Sequence, residues 1–227
     1  MNGIIYFAKT TNETNYVKLA QFSASLLRPY LKNIELCIIT DSNDLNLSNY
    51  FDRVINYTFE ETDNKYYIYD KLNVYWLSPY KKTLLLDADL LLFDLTTLHL
   101  FEASIAIGAT HSMYKHIQTF LGTLLYFQQC AEVERFFTTC SAIKNNYYAE
   151  VLPYFPLAKR YRNDFVLSIA NIRNPVMAAL DTQIQHIKHG IVQHINNNSI
   201  VINNVELLNT NIHFLDKTIL LKYIENL

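Results

Sequence analysis

The chain has 227 residues, half of them apolar and 14% aromatic, with a formal net charge of -2 and a pI near 6.4. That length suits one large domain with a sizeable core, and the mild charge excludes both an overall basic field for nucleic acid and an acidic solvating tail. Every apolar run is broken before the ~18 residues of a membrane span, and no basic stretch leads into a long apolar one at the start, so a cytoplasmic protein without a signal peptide is expected.

Three cysteines, Cys37, Cys130 and Cys140, lack CxxC spacing and are odd in number. They read as buried thiols in a reducing compartment rather than a disulfide framework or zinc site. The only glycines are Gly3, Gly108, Gly122 and Gly190. Neither a dinucleotide-binding GxGxxG nor a Walker loop can be assembled from them, so a phosphate would be held through a carboxylate-bound metal helped by lysine or arginine.

In chain order, Ile4 to Ala8 reads as a strand running into the polar loop Lys9-Thr10-Thr11-Asn12-Glu13. Val17, Ala20, Ala24, Leu27 and Leu31 then recur at helical spacing, with Thr11 or Asn12 as the expected cap and Pro29 near the end. Ile34 to Thr40 and Arg53 to Phe59 are the next strands, and Asn64 to Leu77 a tyrosine-rich helix closed by Ser78-Pro79-Tyr80. The following strand, Thr83 to Leu86, ends on Asp87-Ala88-Asp89 and continues into Leu90, Leu91, Leu92 and Phe93. Apolar residues without alternation describe a strand covered on both faces, so the two acids stand at the edge of a core. Burying them costs several kcal/mol unless a cation or a hydrogen-bond partner compensates. The Asp-x-Asp spacing places both carboxylates on the same side of an extended backbone, where one divalent ion can be held by both, directly or through water.

A short element from Leu90 to Glu102 carries Asp94, strands follow at Ile105 to Thr110 and Phe120 to Phe127, and Ala131 to Lys144 is an amphipathic helix. The basic run Lys159-Arg160-Tyr161-Arg162 leads into Asn163-Asp164 and a helix over Phe165 to Ala170. It reads first as a solvated face, with a phosphate backbone or an extruded base as the functional alternative. Ile184 to Ile195 and Ile200 to Leu207 form an expected strand pair around Asn196-Asn197-Asn198, and Ile212-His213-Phe214 precedes a last helix from about Asp216. His186, His189 and His194 are close in sequence, but a strand sends His186 and His189 to opposite faces, which argues against a zinc site. Alternating strands and helices indicate an α/β fold with a mainly parallel central sheet whose ligands bind beyond the strands' carboxyl ends.

The segment Asp70-Lys71-Leu72-Asn73-Val74-Tyr75-Trp76-Leu77-Ser78-Pro79-Tyr80-Lys81-Lys82-Thr83-Leu84-Leu85-Leu86-Asp87-Ala88-Asp89 resembles the corresponding region of glycogenin-like retaining glycosyltransferases. The loop Ala8 to Glu13 with Tyr16 and Lys18 is similar to that family's Thr-Thr-Asn-Asp loop, and Ile212-His213-Phe214-Leu215 to its His-Phe-Leu-Gly segment. These matches fall in the family's order. The resemblance implies a single GT-A (Rossmann-like) domain over 1–227, with residues 1–110 as the nucleotide-sugar and metal half and 111–227 as the acceptor half, from which His213 returns to the metal. It implies Mn²⁺ (or Mg²⁺) on Asp87, Asp89 and His213, Lys71 on the diphosphate or sugar, and Lys217 on the diphosphate. Ala8, Thr10, Thr11, Asn12, Tyr16 and Ala88 would line the nucleotide, and Asp164 would hydrogen-bond the donor sugar. Phe120-Leu121-Gly122 replaces the family's Asn-Ser-Gly, so the sugar, a hexosyl or pentosyl group, need not be glucose.

The implied activity is transfer of a sugar from a nucleoside diphosphate donor, UDP by resemblance, to a hydroxyl, with retention of configuration. The Tyr-Asp-Lys, Ser-Pro-Tyr and Arg-Asn-Asp-Phe patterns are similar to small bacteriophage glycosyltransferases, some of which decorate hydroxymethylated bases in DNA. That leaves hydroxymethylated pyrimidine in phage DNA and a protein or glycan hydroxyl as the two acceptors, and the host cytoplasm as the compartment for a phage-encoded chain. Phosphatases of the haloacid dehalogenase type also end a strand on Asp-x-Asp, but they need Thr or Val after the second acid and a downstream acidic pair, where this chain has Leu90 and Leu91 and no such pair. A degenerate nucleotide-sugar-binding module without turnover is the non-enzymatic alternative.

Overall fold

The structure, a computed structural model, describes residues 1–60, 67–112, 119–156, 158 and 160–227. In chain order the elements are β1 (Asn2–Phe7), α1 (Tyr16–Leu27), β2 (Ile34–Thr40), β3 (Arg53–Asn56), α2 (Val74–Leu77), β4 (Lys82–Leu86), β5 (Leu90–Leu91), β6 (Ile107–His111), β7 (Phe120–Gln128), α3 (Ala131–Asn145), α4 (Tyr147–Val151) and α5 (Asn163–Arg173). They continue as β8 (Ala178–Leu180), β9 (Ile184–Ile187), β10 (Val192–Ile195), β11 (Ser199–Ile202), β12 (Val205–Leu208), β13 (Asn211–Phe214) and α6 (Lys217–Glu225). Among the described residues, seven strands make the main sheet, in the order β3-β2-β1-β4-β7-β6-β8, and two three-stranded sheets have the orders β10-β11-β12 and β5-β13-β9. The expected α/β class with a mainly parallel central sheet is what is found: β1 with β2, β2 with β3 and β6 with β8 are parallel, and β6 with β7 is antiparallel.

The chain divides into two compact units. The middle unit comprises Met1, Phe59–Leu85 and Ala103–Asp181. Its core is aromatic: Tyr75 stacks on Phe137 with centroids 4.7 Å apart, and Phe127 meets the same ring edge-on at 5.3 Å. Helix α3 forms where expected because Val133, Phe136, Phe137, Cys140 and Ile143 repeat at helical spacing and are all buried. Each of the Val, Phe and Ile side chains removed from water contributes roughly 1.5–3 kcal/mol. The same stripe buries Lys144, whose Nζ lies 3.0 Å from the buried Asp70 Oδ1 and 4.0 Å from the centre of the Tyr69 ring.

The terminal unit comprises Asn2–Thr58, Leu86–Glu102 and Thr182–Leu227. Ile4, Ile5, Leu36, Ile38 and Ile39 are fully buried, which explains the unbroken apolar runs of β1 and β2. Arg28, at the end of α1, grips Asp52 through both carboxylate oxygens at 3.0 and 2.7 Å, and the Leu36 amide donates to the same carboxylate at 2.7 Å. Partial burial works against the charge, but the Leu36 amide and the Arg28 guanidinium outweigh it and hold the Asp52 carboxyl below its usual value. A depressed folded value means stability present above the unfolded carboxyl pKa, ~3.9, and lost as pH falls through the folded one. Denaturant titrations at pH 5 and pH 3 should therefore show a loss of stability that is smaller in Asp52→Asn; an equal loss would remove Asp52 as a contributor.

Several expectations are corrected. Asn15, not Thr11 or Asn12, caps α1, its side chain accepting from the Lys18 amide at 2.8 Å. Thr11 Oγ1 instead accepts from the Thr14 amide at 3.0 Å, closing the preceding loop on itself. The tyrosine-rich helix is a 3-10 turn over Tyr67–Asn73 followed by the short α2, and the first residues of that expectation lie outside the described ones. The β10 region begins only after Gly190, whose φ of 139° breaks the run begun at Ile184. Asn203 and Asn204 have φ of 52° and 64°, a left-handed turn that asparagine tolerates, so the second expected strand is the hairpin β11–β12. Cys130 is exposed rather than buried.

Candidate functional site

Strand β4 buries Thr83, Leu84, Leu85 and Leu86 completely and delivers Asp87 at its carboxyl end. The acids do not lie on an extended backbone, as the spacing suggested. Asp87 to Asp89 form a turn, closed by the Leu90 amide donating to the Asp87 carbonyl at 3.1 Å. The turn still leaves a ligand atom of each carboxylate within 4.8 Å of the other, and it lets the chain re-enter a sheet at once as β5.

Within the terminal unit three groups fix that turn. The Ser23 hydroxyl of α1 donates to the Leu90 carbonyl at 2.8 Å. β13 pairs antiparallel with β5, setting His213 opposite Leu90, and the Phe214 amide donates to the Asp89 carbonyl at 3.0 Å. The buried Asn211 accepts the Phe93 and Asp94 amides at 3.0 and 2.8 Å through one oxygen. These bonds bring a residue from near the end of the chain to the acids: His213 Nε2 lies 3.3 Å from Asp89 Oδ1 and 3.8 Å from Asp87 Oδ2. Lys217, in the first turn of α6, places Nζ 2.9 Å from Asp89 Oδ2.

Asp89 is buried and Asp87 half-buried. Burial alone would raise the Asp89 carboxyl's pKa, but the His213 imidazole and the Lys217 ammonium outweigh it and hold the carboxyl well below its usual range. Burial likewise opposes the Lys217 charge, and Asp89, with smaller contributions from Tyr16 and Asp87, raises its pKa. The result is an ionised carboxylate in the core with an imidazole on one oxygen and an ammonium on the other.

One ligand atom from each of Asp87, Asp89 and His213 can be chosen so that all lie within 4.8 Å of one another. Donors around a small divalent ion at ~2.1 Å span up to ~4.2 Å, so small side-chain rotations close this set around a cation. Two carboxylates with one imidazole also suit a hard to borderline divalent metal. Among the described residues, His186, His189 and His194 form no such group. His189 and His194 are exposed, whereas the His186 and His213 Nδ1 atoms are 3.1 Å apart. Burial, followed by the neighbouring His213, lowers the pKa of His186.

The remaining terminal-unit residues from the sequence fall as follows. Ala88 is buried in the acid turn, and Ala8 is buried with its amide donating to the Ile39 carbonyl at 2.9 Å. Thr10 hydrogen-bonds Asn15 at 3.2 Å, Thr11 is used within its loop, Asn12 is exposed, and Tyr16 opens α1 half-buried. In the middle unit, Lys71 is buried and donates to the Gly122 carbonyl at 2.6 Å, while Asp164, in the first turn of α5, accepts the Gly122 amide at 2.8 Å. The two side chains thus grip one peptide segment from its two polar ends.

Of the basic run, Arg160 and Arg162 are exposed, and Lys159 lies outside the described residues. Tyr161 is buried and donates to Asn163 Oδ1 at 2.6 Å, so it is not the free aromatic platform for an extruded base that the sequence suggested. Ser23 and Asn211 are not among the expected site residues, and His186 enters the sequence reading only as a disfavoured zinc ligand. Ser and Asn inside apolar elements are the available signal for the first two; the role of His186 depends on strand pairing.

No protein-family model matches the sequence, and no curated protein matches it. Solved structures do. The glycosyltransferase GlyE of Streptococcus pneumoniae TIGR4 matches with a TM-score of 0.52 and 12% identity, over 79% of this chain and 45% of its own, so the chain spans less than half of GlyE. The galactosyltransferase LgtC, solved with donor and acceptor sugar analogues, matches with a TM-score of 0.61 and 14% identity, over 99% of this chain and 94% of LgtC. These neighbours are glycosyltransferases of GT-A type, and at such identities the likeness establishes the fold.

Proposed function

We propose that residues 1–227 act as one metal-dependent glycosyltransferase domain of the glycogenin-like, retaining kind, moving a sugar from a nucleoside diphosphate donor to a hydroxyl. The observation that carries the reading is the convergence of Asp87, Asp89 and His213 at a strand end in a fold shared with GT-A glycosyltransferases. Asp87, Asp89 and His213 would hold the cation, Mn²⁺ or Mg²⁺. When bound, it supplies Lewis-acid neutralisation of charge on the leaving diphosphate. Lys217 adds a positive charge beside Asp89 for the same phosphates. The loop bearing Thr10, Thr11 and Asn12, with Ala8, Tyr16 and Ala88, is assigned to the nucleotide, uridine by resemblance. Lys71 and Asp164 are assigned to donor-sugar recognition, their grip on Gly122 fixing the polar ends they present.

In the transfer, the bond from the anomeric carbon to the β-phosphate oxygen breaks, the acceptor oxygen forms the new bond on the same face, and its proton passes to the leaving phosphate. For the acceptor we propose hydroxymethylated pyrimidine in bacteriophage DNA, in keeping with the phage-like sequence patterns and the exposed Arg160 and Arg162. The test incubates the protein with a panel of nucleoside diphosphate sugars, Mn²⁺ or Mg²⁺, and hydroxymethylated DNA. Nucleoside diphosphate release is read by chromatography and the modified nucleoside by mass spectrometry. Metal-dependent release with a new glycosylated nucleoside is expected. Release with an unchanged nucleoside profile would move the acceptor to a protein or glycan. Donor binding by calorimetry with no release under any metal would make the chain a binding module.

A further inference from the structure

We propose that His186 is a positioning residue for His213, setting by one hydrogen bond the tautomer in which His213 turns the lone pair of Nε2 toward Asp87 and Asp89. The inference rests on the reading of these three residues as a divalent-cation site. Its basis is the strand pairing. β9 runs parallel to β13 with His186 in register with His213, and the ring centroids are 5.2 Å apart at an interplanar angle of 67°. The Nδ1 atoms are 3.1 Å apart, within hydrogen-bond reach. The other His213 nitrogen, Nε2, is the one that faces the acids.

A hydrogen bond between two ring nitrogens needs one N–H and one lone pair, and a neutral imidazole carries one N–H. Two arrangements satisfy the pair. If His213 Nδ1–H donates to His186 Nδ1, then Nε2 of His213 is bare and can ligate a cation. If His186 donates instead, the His213 proton sits on Nε2 and points at Asp89 Oδ1, 3.3 Å away, where it competes with a cation for both groups. The second arrangement does not need His186, since Asp89 alone supports it. The ligating arrangement does, because it gives the Nδ1 proton an acceptor. Partners that hold the far nitrogen of a ligating histidine typically account for about 10–100-fold in metal affinity.

The test compares His186→Phe, which keeps a ring and removes the acceptor, with His186→Asn, which offers an oxygen near the Nδ1 position; His186→Ala replaces the first should it fail to fold. Two readouts are taken: Mn²⁺ affinity by electron paramagnetic resonance of free Mn²⁺, and the His213 tautomer by two-bond ¹H–¹⁵N NMR on the protein without added metal. We expect His186→Phe to bind Mn²⁺ about 10–100-fold more weakly and to shift His213 toward the Nε2–H form, with His186→Asn restoring both. Wild-type affinity and an unchanged His213 tautomer in His186→Phe would overturn the proposal. Should the wild-type protein bind no Mn²⁺, the cation-site reading fails. The tautomer shift then decides by itself whether His186 orients His213.

Discussion

Replacing Asp87 by asparagine is expected to lower divalent-cation affinity and donor turnover by about 10²–10³-fold while leaving the melting temperature nearly unchanged. A carboxylate on a divalent ion that offsets leaving-group charge is worth several kcal/mol, and ~1.4 kcal/mol is tenfold. Asp87 is half-buried, so the amide can be solvated where it stands. Asp89 is different. It is buried and carries Lys217 at 2.9 Å and His213 at 3.3 Å, so Asp89→Asn should lose cation binding and also destabilise the fold. Calorimetric Mn²⁺ titration, nucleoside diphosphate release and thermal melts on the two variants separate these roles. Unchanged Mn²⁺ dependence in Asp87→Asn would remove the acid turn from the mechanism.

The largest stability effect is expected from Lys144→Met. Lys144 and Asp70 are both buried and pair at 3.0 Å, and Asp70 also accepts from the Glu60 amide and, at 3.3 Å, from Asn73. Methionine fills the alkyl space but leaves the Asp70 carboxylate buried without its counter-charge, a loss of about 3–5 kcal/mol. For a chain of this size that is roughly 10 °C in melting temperature. Adding Asp70→Asn should recover part of it, because the amide oxygen still accepts the Glu60 N–H and no net charge remains buried. A loss under about 1 kcal/mol in Lys144→Met would show that water reaches Asp70. Asp70 belongs to the same 3-10 turn as Lys71, the residue proposed for donor-sugar recognition.

Elements with a strong local period were legible in the sequence. β2 spans Ile34–Thr40 as expected, and α3 differs from its expected range by one residue at the end, because a stripe repeating at 3.6 residues needs no distant partner to be recognised. The last helix starts after Asp216, whose side chain accepts the Thr218 amide at 3.1 Å, a cap visible as a local pattern. Expectations failed where two local patterns competed. Thr11, Asn12 and Asn15 can all cap a helix, and the loop's own hydrogen bonds take Thr11 and leave Asn15 at the entrance. Asn203 and Asn204 sit inside an apolar run, so the hairpin between β11 and β12 was hidden by its flanks.

For the site, composition and spacing by themselves determined that two acids stand at the end of a buried strand and therefore need a positive partner. Family resemblance added His213 and the nucleotide loop as expectations. Only the tertiary structure decided which groups meet. The antiparallel β5–β13 pairing sets His213 3.3 Å from Asp89, the parallel β9–β13 register sets His186 behind it, and Gly122 is held between Lys71 and Asp164. The physical reason is that burial and backbone period are properties of a short stretch, whereas register belongs to pairs of strands more than a hundred residues apart, as with β5 and β13, and shifting it by one residue would turn His213 away from the acids.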